Sequence, residues 1–173
     1  MQTDTSARPQ VQNPVALAAV LCGLGVIIGS LGPWLKVTLP LVGTVTVSGT
    51  DGNRDGLFTL VAGVLAVLIM AVIAVGSRES RSLGALTVVA GLLFLIVAGV
   101  VTYDWANLQR HISDMDEDYR HLVTAGWGLY LTGLTGAAGV LASFVTYSHL
   151  QAGAGPADEL PVSTHVPGAL PGE

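Results

Sequence analysis

Residues Leu57–Gly76 read LFTLVAGVLAVLIMAVIAVG, an unbroken run without a single Asp, Glu, Lys, Arg or His. A helix rises about 1.5 Å per residue, so roughly 20 residues cross the hydrocarbon core of a bilayer. Three further stretches have the same character: Pro14–Leu35, Leu83–Tyr103 and Gly126–Tyr147. A soluble chain of 173 residues has too little polar sequence left to cover four such runs. The sequence reads as an all-α membrane protein, a four-transmembrane-helix bundle with spans 14–35, 57–76, 83–103 and 126–147. Residues 1–13 read as a flexible N-terminal tail, 14–150 as the transmembrane domain, and 151–173 as a disordered C-terminal tail rich in Pro and Gly.

Composition agrees and excludes some functions. Only 11% of residues are charged, against about 25% in soluble domains. A net charge of −5 leaves no basic footprint, so nucleic acid is not an expected partner. The one cysteine, Cys22, lies inside the first span, cannot form an intramolecular disulfide, and reads as a small apolar residue. Leu21 stands where lipidation of Cys22 would need a small residue, and the first span lacks the basic flank of a cleaved signal peptide.

Between the spans, patterning changes. The first span closes at Gly32-Pro33-Trp34, where proline disfavours helix for the residue before it. Val37–Ser48 then alternates apolar and hydroxyl residues around Val42-Gly43, which predicts a short β-hairpin in the first outer loop, with Pro40 restricting its strand to an edge. Gly49–Gly56 is turn-rich, and Asp55 is placed to cap the second span. Ser77–Ser82 is a tight connection that makes spans two and three antiparallel neighbours. In Asp104–Ala125, Trp105, Leu108, Ile112, Met115, Tyr119 and Leu122 recur at steps of three and four. That stripe predicts an amphipathic helix of about six turns in the second outer loop, either prolonging span three or lying on the surface, its apolar face a partner-docking surface.

Orientation rests on thinner signals. With both termini in the cytoplasm, the inner segments carry Arg8, Arg78 and Arg81 and the outer ones Lys36, Arg54, Arg110 and Arg120. The count is balanced, but the compact Arg78–Arg81 loop favours the inside, and 104–125 carries five acids against two arginines. Trp34, Tyr103, Trp105, Trp127 and Tyr130 fall at one membrane face and read as interfacial anchors. The expected location is the plasma (inner) membrane, multi-pass, with both larger loops outside.

Candidate chemistry is sparse. Asp114-Met115-Asp116-Glu117-Asp118 starts like a calcium loop, but Tyr119 and Ala125 stand where the EF-hand needs Gly and a bidentate Glu. His111, Asp114, Asp118 and His121 are spaced to share one helical face and could offer metal ligands, yet a solvated stripe is the simpler reading. Four-residue spacings of small residues mark close helix packing: Gly25 and Gly29; Ala62, Ala66 and Ala74; Gly91 and Gly99; Thr135, Gly139 and Ser143. The absence of intramembrane charge argues against proton relays and coupled transport. Hydroxyls such as Ser30, Thr59, Thr87, Thr102, Thr132, Thr135 and Ser143 can bond their own helix backbone. No catalytic, cofactor or metal residues are assigned.

The elements Gly29-Ser30-Leu31-Gly32-Pro33-Trp34 and Asp55-Gly56-Leu57-Phe58-Thr59-Leu60, with the hydroxyl-rich loop between, resemble those of small four-span proteins of actinobacterial membranes, some similar to the tryptophan-operon-associated membrane protein. The layout also resembles claudin-type tetraspans, without the cysteine pair in their first outer loop. A bundle without chemistry inside it and with two structured loops on one face points to a non-enzymatic accessory subunit of a larger inner-membrane complex, and the resemblance permits either a mammalian-cell-entry type lipid importer, the favoured one, or a respiratory assembly. Its partners would be other integral membrane subunits and membrane lipid. The alternative is a small membrane receptor binding an apolar ligand between spans and outer loops, beneath the Trp34/Trp105/Trp127 belt.

Overall fold

A computed structural model describes residues 14–51, 55–75 and 81–153. In chain order its elements are α1 (Pro14–Leu31), β1 (Pro33–Leu39), β2 (Gly43–Ser48), α2 (Asp55–Val75), α3 (Arg81–Asp114), α4 (Glu117–Arg120), β3 (Val123–Ala125) and α5 (Trp127–Gly153). The helices α1, α2, α3 and α5 are each long and apolar enough to cross a membrane. The expected tails up to residue 13 and from 154 onward lie outside the described residues, as do Arg54 and the connection at 76–80.

The four long helices run up-down-up-down, with α1 against α2 and α5, and α3 against the same two. Small residues set how closely they approach. Gly25 and Gly29 of α1 face Thr135 and Thr132 of α5, and a methyl group on Gly29 would meet the Thr132 backbone nitrogen at 2.8 Å. The ring of Phe94 on α3 is fully buried and rests on Gly139 of α5. Val26, Ala62, Ala66, Phe94 and Val97 form one buried cluster; Ala16, Ala19, Met70, Ile73, Ala74, Leu83 and Ala90 form another. Of the expected small-residue spacings, Gly99 alone has open space beside it. Leu21, Leu68, Leu134, Leu141 and Phe144 project outward from the bundle.

The hydroxyls inside the helices bond the preceding turn. Ser30 Oγ donates to the Val26 carbonyl at 2.8 Å, Thr87 Oγ1 to Leu83 at 2.8 Å, Thr132 Oγ1 to Gly128 at 2.8 Å and Thr135 Oγ1 to Leu131 at 2.7 Å. Ser143 is the exception: its hydroxyl is buried without a hydrogen-bond partner.

At the α1–β1 end of the bundle sits a three-stranded antiparallel sheet, ordered β2-β1-β3. It corrects the sequence reading in several places. The first helix ends at Leu31, not Leu35: the Gly32 N–H closes the last turn onto Ile28 and Gly29, and Pro33 opens β1. The strand carrying residues 33–39 is central rather than an edge, because Pro40 falls in the turn, where its missing N–H removes no ladder bond. Gly43 closes that turn at φ +90°, a conformation that suits glycine. The second outer loop is not one amphipathic helix. Span three continues unbroken as α3 to Asp114, and the chain then turns. Arg120 Nε donates to the Met115 carbonyl at 2.9 Å and its Nη2 to Ser113 at 2.8 Å, satisfying carbonyls released at the helix end. After the single turn of α4, the Leu122 carbonyl accepts from the Thr38 N–H at 2.8 Å, and β3 pairs with β1. Ladder bonds to an existing strand thus replace the end of the expected helix. The fourth helix runs to Gly153, longer than 126–147 and into the residues expected to be disordered.

Candidate ligand groove

The sheet is two-faced because strand side chains alternate. Leu35 and Val37 on β1 pair with Val47 and Val45 on β2 and with Ala125 and Val123 on β3, which gathers six apolar residues on one face. Lys36, Thr38, Thr44, Thr46 and Thr124 share the other face. The apolar face looks toward the part of α3 beyond Tyr103. Between them lies a groove of about 590 Å³.

On its α3 wall the groove has two files. Leu108, Ile112 and Met115 form an apolar one, and Asp104, Asn107 and His111 a polar one, each at helical spacing. The opposite wall is Val37, Val47 and Val123, with Trp34 and Leu129 deeper in. Ser48, Gly49, Asp51, Asp55 and Gly56 close one end. That end is rigid. Gly49 and Gly56 meet backbone to backbone, so a side chain on Gly56 would collide with the Gly49 carbonyl. The Trp34 ring packs over Gly49, with its Nε1 donating to the Gly29 carbonyl at 2.9 Å.

Polar groups along the groove are unequal. Asp104 is half-buried, and its Oδ2 is buried without a hydrogen-bond partner. Asp55, also acidic, lines the same groove. Asp51 is exposed, and its Oδ2 accepts from the Ser48 N–H at 3.1 Å. His111 is exposed, and its Nδ1 donates to the Asn107 carbonyl at 2.9 Å. Asp104 and His111 stand seven positions apart, about 10 Å along the helix, so they do not act on one atom. Among the described residues, the groove is lined by no Lys or Arg, and no three His, Cys, Asp or Glu come together to hold a metal.

The expected docking stripe is thereby divided. Leu108, Ile112 and Met115 face the groove, whereas Trp105 turns to Tyr130, with ring centroids 5.1 Å apart at 60°. Tyr119 is exposed on α4, and Leu122 is half-buried at the approach to β3. The aromatic belt is divided too: Trp34 lines the groove, Trp127 packs on Gly32, and Tyr103 is exposed. The spacing of His111, Asp114, Asp118 and His121 loses its meaning, because α3 ends at Asp114 and the last two residues lie beyond the turn.

Sequence reasoning missed β3 and the part played by Asp104. Three residues of alternation in Val123-Thr124-Ala125 are too few to signal a strand. Asp104 did carry a signal, as the first charge after span three. A second cavity of about 400 Å³ opens sideways between α3 and α5, lined by Gly91, Leu95, Val140, Ser143 and Phe144 among others. No protein-family model matches the chain, and no curated protein matches it.

Proposed function

We propose that this protein is a non-enzymatic membrane receptor that binds an apolar ligand between α3 and the outer sheet. The observation carrying this reading is the groove itself: about 590 Å³, walled by Leu108, Ile112, Val37, Val47 and Val123, with a few polar groups at its ends. Ligand sites have this volume and this mixture of lining. The protein sits in the plasma (inner) membrane with both termini in the cytoplasm, so the groove faces outward. An alkyl diazirine photoprobe tests the reading on the full chain in lipid nanodiscs. Crosslinks should map to the 104–115 and 35–47 peptides, and Ile112→Trp, which fills the groove, should remove them. Crosslinks spread evenly over the lipid-facing helices, unchanged by Ile112→Trp, would defeat it.

A second reading, an accessory subunit of a larger inner-membrane complex such as a lipid importer or respiratory assembly, draws on a different feature. The hairpin tip carries Leu41 at 99% and Val42 at 75% exposure, well beyond what scattered surface residues need. Its partners would be other integral membrane subunits. Crosslinking in native membranes followed by mass spectrometry tests it; recovery of the lone chain would count against it.

A further inference from the structure

Toward the sheet, α3 and α5 are locked together: Phe94 rests on Gly139, and a methyl group on Gly136 would meet Val97 at 3.2 Å. Toward the other end they part. A methyl on Gly91 would reach the Ser143 Cβ at 3.4 Å, and one on Gly84 would find nothing nearer than the Tyr147 ring at 4.0 Å. The cavity of about 400 Å³ lies in this opening. Val88, Leu92, Leu95 and Phe144 are exposed along it, so it opens through the flank of the bundle.

Ser143 lines this cavity and is only 3% exposed, yet its Oγ has no hydrogen-bond partner. Its neighbours on α5 behave otherwise: Thr135 Oγ1 donates to Leu131 at 2.7 Å and Thr146 Oγ1 to Ala142 at 2.8 Å. The Ser143 Oγ instead lies 3.9 Å from the place of a Gly91 methyl, on the side facing α3. The other lining hydroxyls are engaged elsewhere, Thr87 with Leu83 and Tyr147 with Gln151. Water is a poor substitute, because it needs two or more polar partners and the rest of the lining is apolar. An unmade hydrogen bond in such a place is costly, and a single acceptor atom would relieve it. The lining carries no charged residue, so an ionised group would enter without compensation. Depth adds a further constraint. Tyr147 ends the fourth apolar span, a position at which aromatic rings sit at headgroup level. Ser143 is one helical turn deeper, about 6 Å along the axis, where an alkyl chain joins its ester.

Resting on the membrane-spanning reading of the four long helices, and separate from the groove under the sheet, we propose that the α3–α5 cavity is a lipid site for an acyl ester. The ester carbonyl accepts from Ser143 Oγ, and the alkyl chain runs along Gly91, Val140 and Leu95. A bilayer phospholipid and a free neutral ester share that chemistry.

The test uses the full chain in nanodiscs of ether-linked phosphatidylcholine, whose chains carry no carbonyl. The methyl ester of a diazirine-bearing fatty acid is the probe, and methyl decanoate and undecane compete with it at matched membrane concentrations. Crosslinks should map to residues 87–95 and 140–147, the two walls of the cavity. Methyl decanoate should displace them at about fivefold lower concentration than undecane, the gain from one hydrogen bond. Ser143→Ala should erase that difference while the crosslinks stay in place, which also shows that the variant is folded. Nanodiscs of ester-linked phosphatidylcholine then separate the two sources. Loss of the methyl decanoate advantage there upholds the site with bilayer phospholipid as its occupant; persistence upholds it with a free neutral ester. Equal displacement by ester and alkane in the native chain overturns the proposal. A preference that survives Ser143→Ala does so too, returning the hydroxyl to its own helix. Crosslinks absent from both segments also overturn it, whether a second copy covers the cavity or nothing enters it.

Discussion

Trp34 donates its indole N–H to the carbonyl of Gly29 at 2.9 Å, tying the start of the sheet to the last turn of α1. Gly29 is also a point of close approach to α5, through Thr132 and Gly128. One short segment therefore sets both the helix contact and the placement of the sheet. Trp34→Phe keeps the ring over Gly49 and removes only the donor. It should cost about 1 kcal/mol, the net value of one such bond, read as a lower midpoint in denaturant titration of the micellar protein.

Gly56→Ala should be far more damaging. The added methyl would enter the Gly49 carbonyl, and both groups are backbone, so neither can swing aside. A loss of about 3 kcal/mol, the upper end for overpacking, is expected. Gly99→Ala is the matched control, since nothing lies within 4 Å of the new methyl. There the better helix propensity of alanine should raise stability by up to about 1 kcal/mol. Equal thermal shifts in the two variants would contradict the Gly49–Gly56 contact.

Ser30 and Thr59 join α1 to α2 through hydroxyls 2.8 Å apart, both fully buried. Each also reaches a carbonyl of its own helix, Val26 at 2.8 Å and Gly56 at 2.9 Å, so two protons serve three contacts. A double-mutant cycle with Ser30→Ala and Thr59→Val should give a coupling of about 0.6 kcal/mol, typical of interhelical hydrogen bonds in membranes. Strict additivity would mean that the cross-helix contact contributes nothing beyond the two local bonds.

Orientation has a direct readout. In a Cys22→Ala background, cysteines at Thr50 and Asp116 should react with an impermeant maleimide on intact cells, while one at Ser80 should stay protected until the membrane is opened. Reaction at Ser80 alone would turn the groove toward the cytoplasm and remove any ligand arriving from outside.

How much of this was legible in the sequence depended on whether the signal was local. The number and type of the long helices followed from Leu57–Gly76 and its three counterparts, because apolar runs of that length have one stable arrangement. The hairpin was legible for the same reason, as alternation and a turn glycine lie within a dozen residues. The stripe from Trp105 to Ile112 was read correctly as helix, but its unbroken continuation through Met115, Tyr119 and Leu122 was not. Helical spacing persists there, yet unpaired ladder positions on β1 compete for that backbone, and they come from residues some 85 positions earlier.

By itself the sequence determined the four apolar helices, the break at Pro33 and the hairpin, since each follows from hydropathy, proline sterics or strand alternation within one segment. Tertiary structure decided the rest. It recruited Val123–Ala125 as a third strand, turned Trp105 toward Tyr130, and set Leu108, Ile112 and Met115 opposite Val37 and Val47 with a groove between them. It also placed Asp104, from the end of one long helix, and Asp55, from the start of another, on the lining of that groove. Pairing between segments distant in the chain depends on which partner is within reach after the bundle has formed, and no single segment encodes that choice.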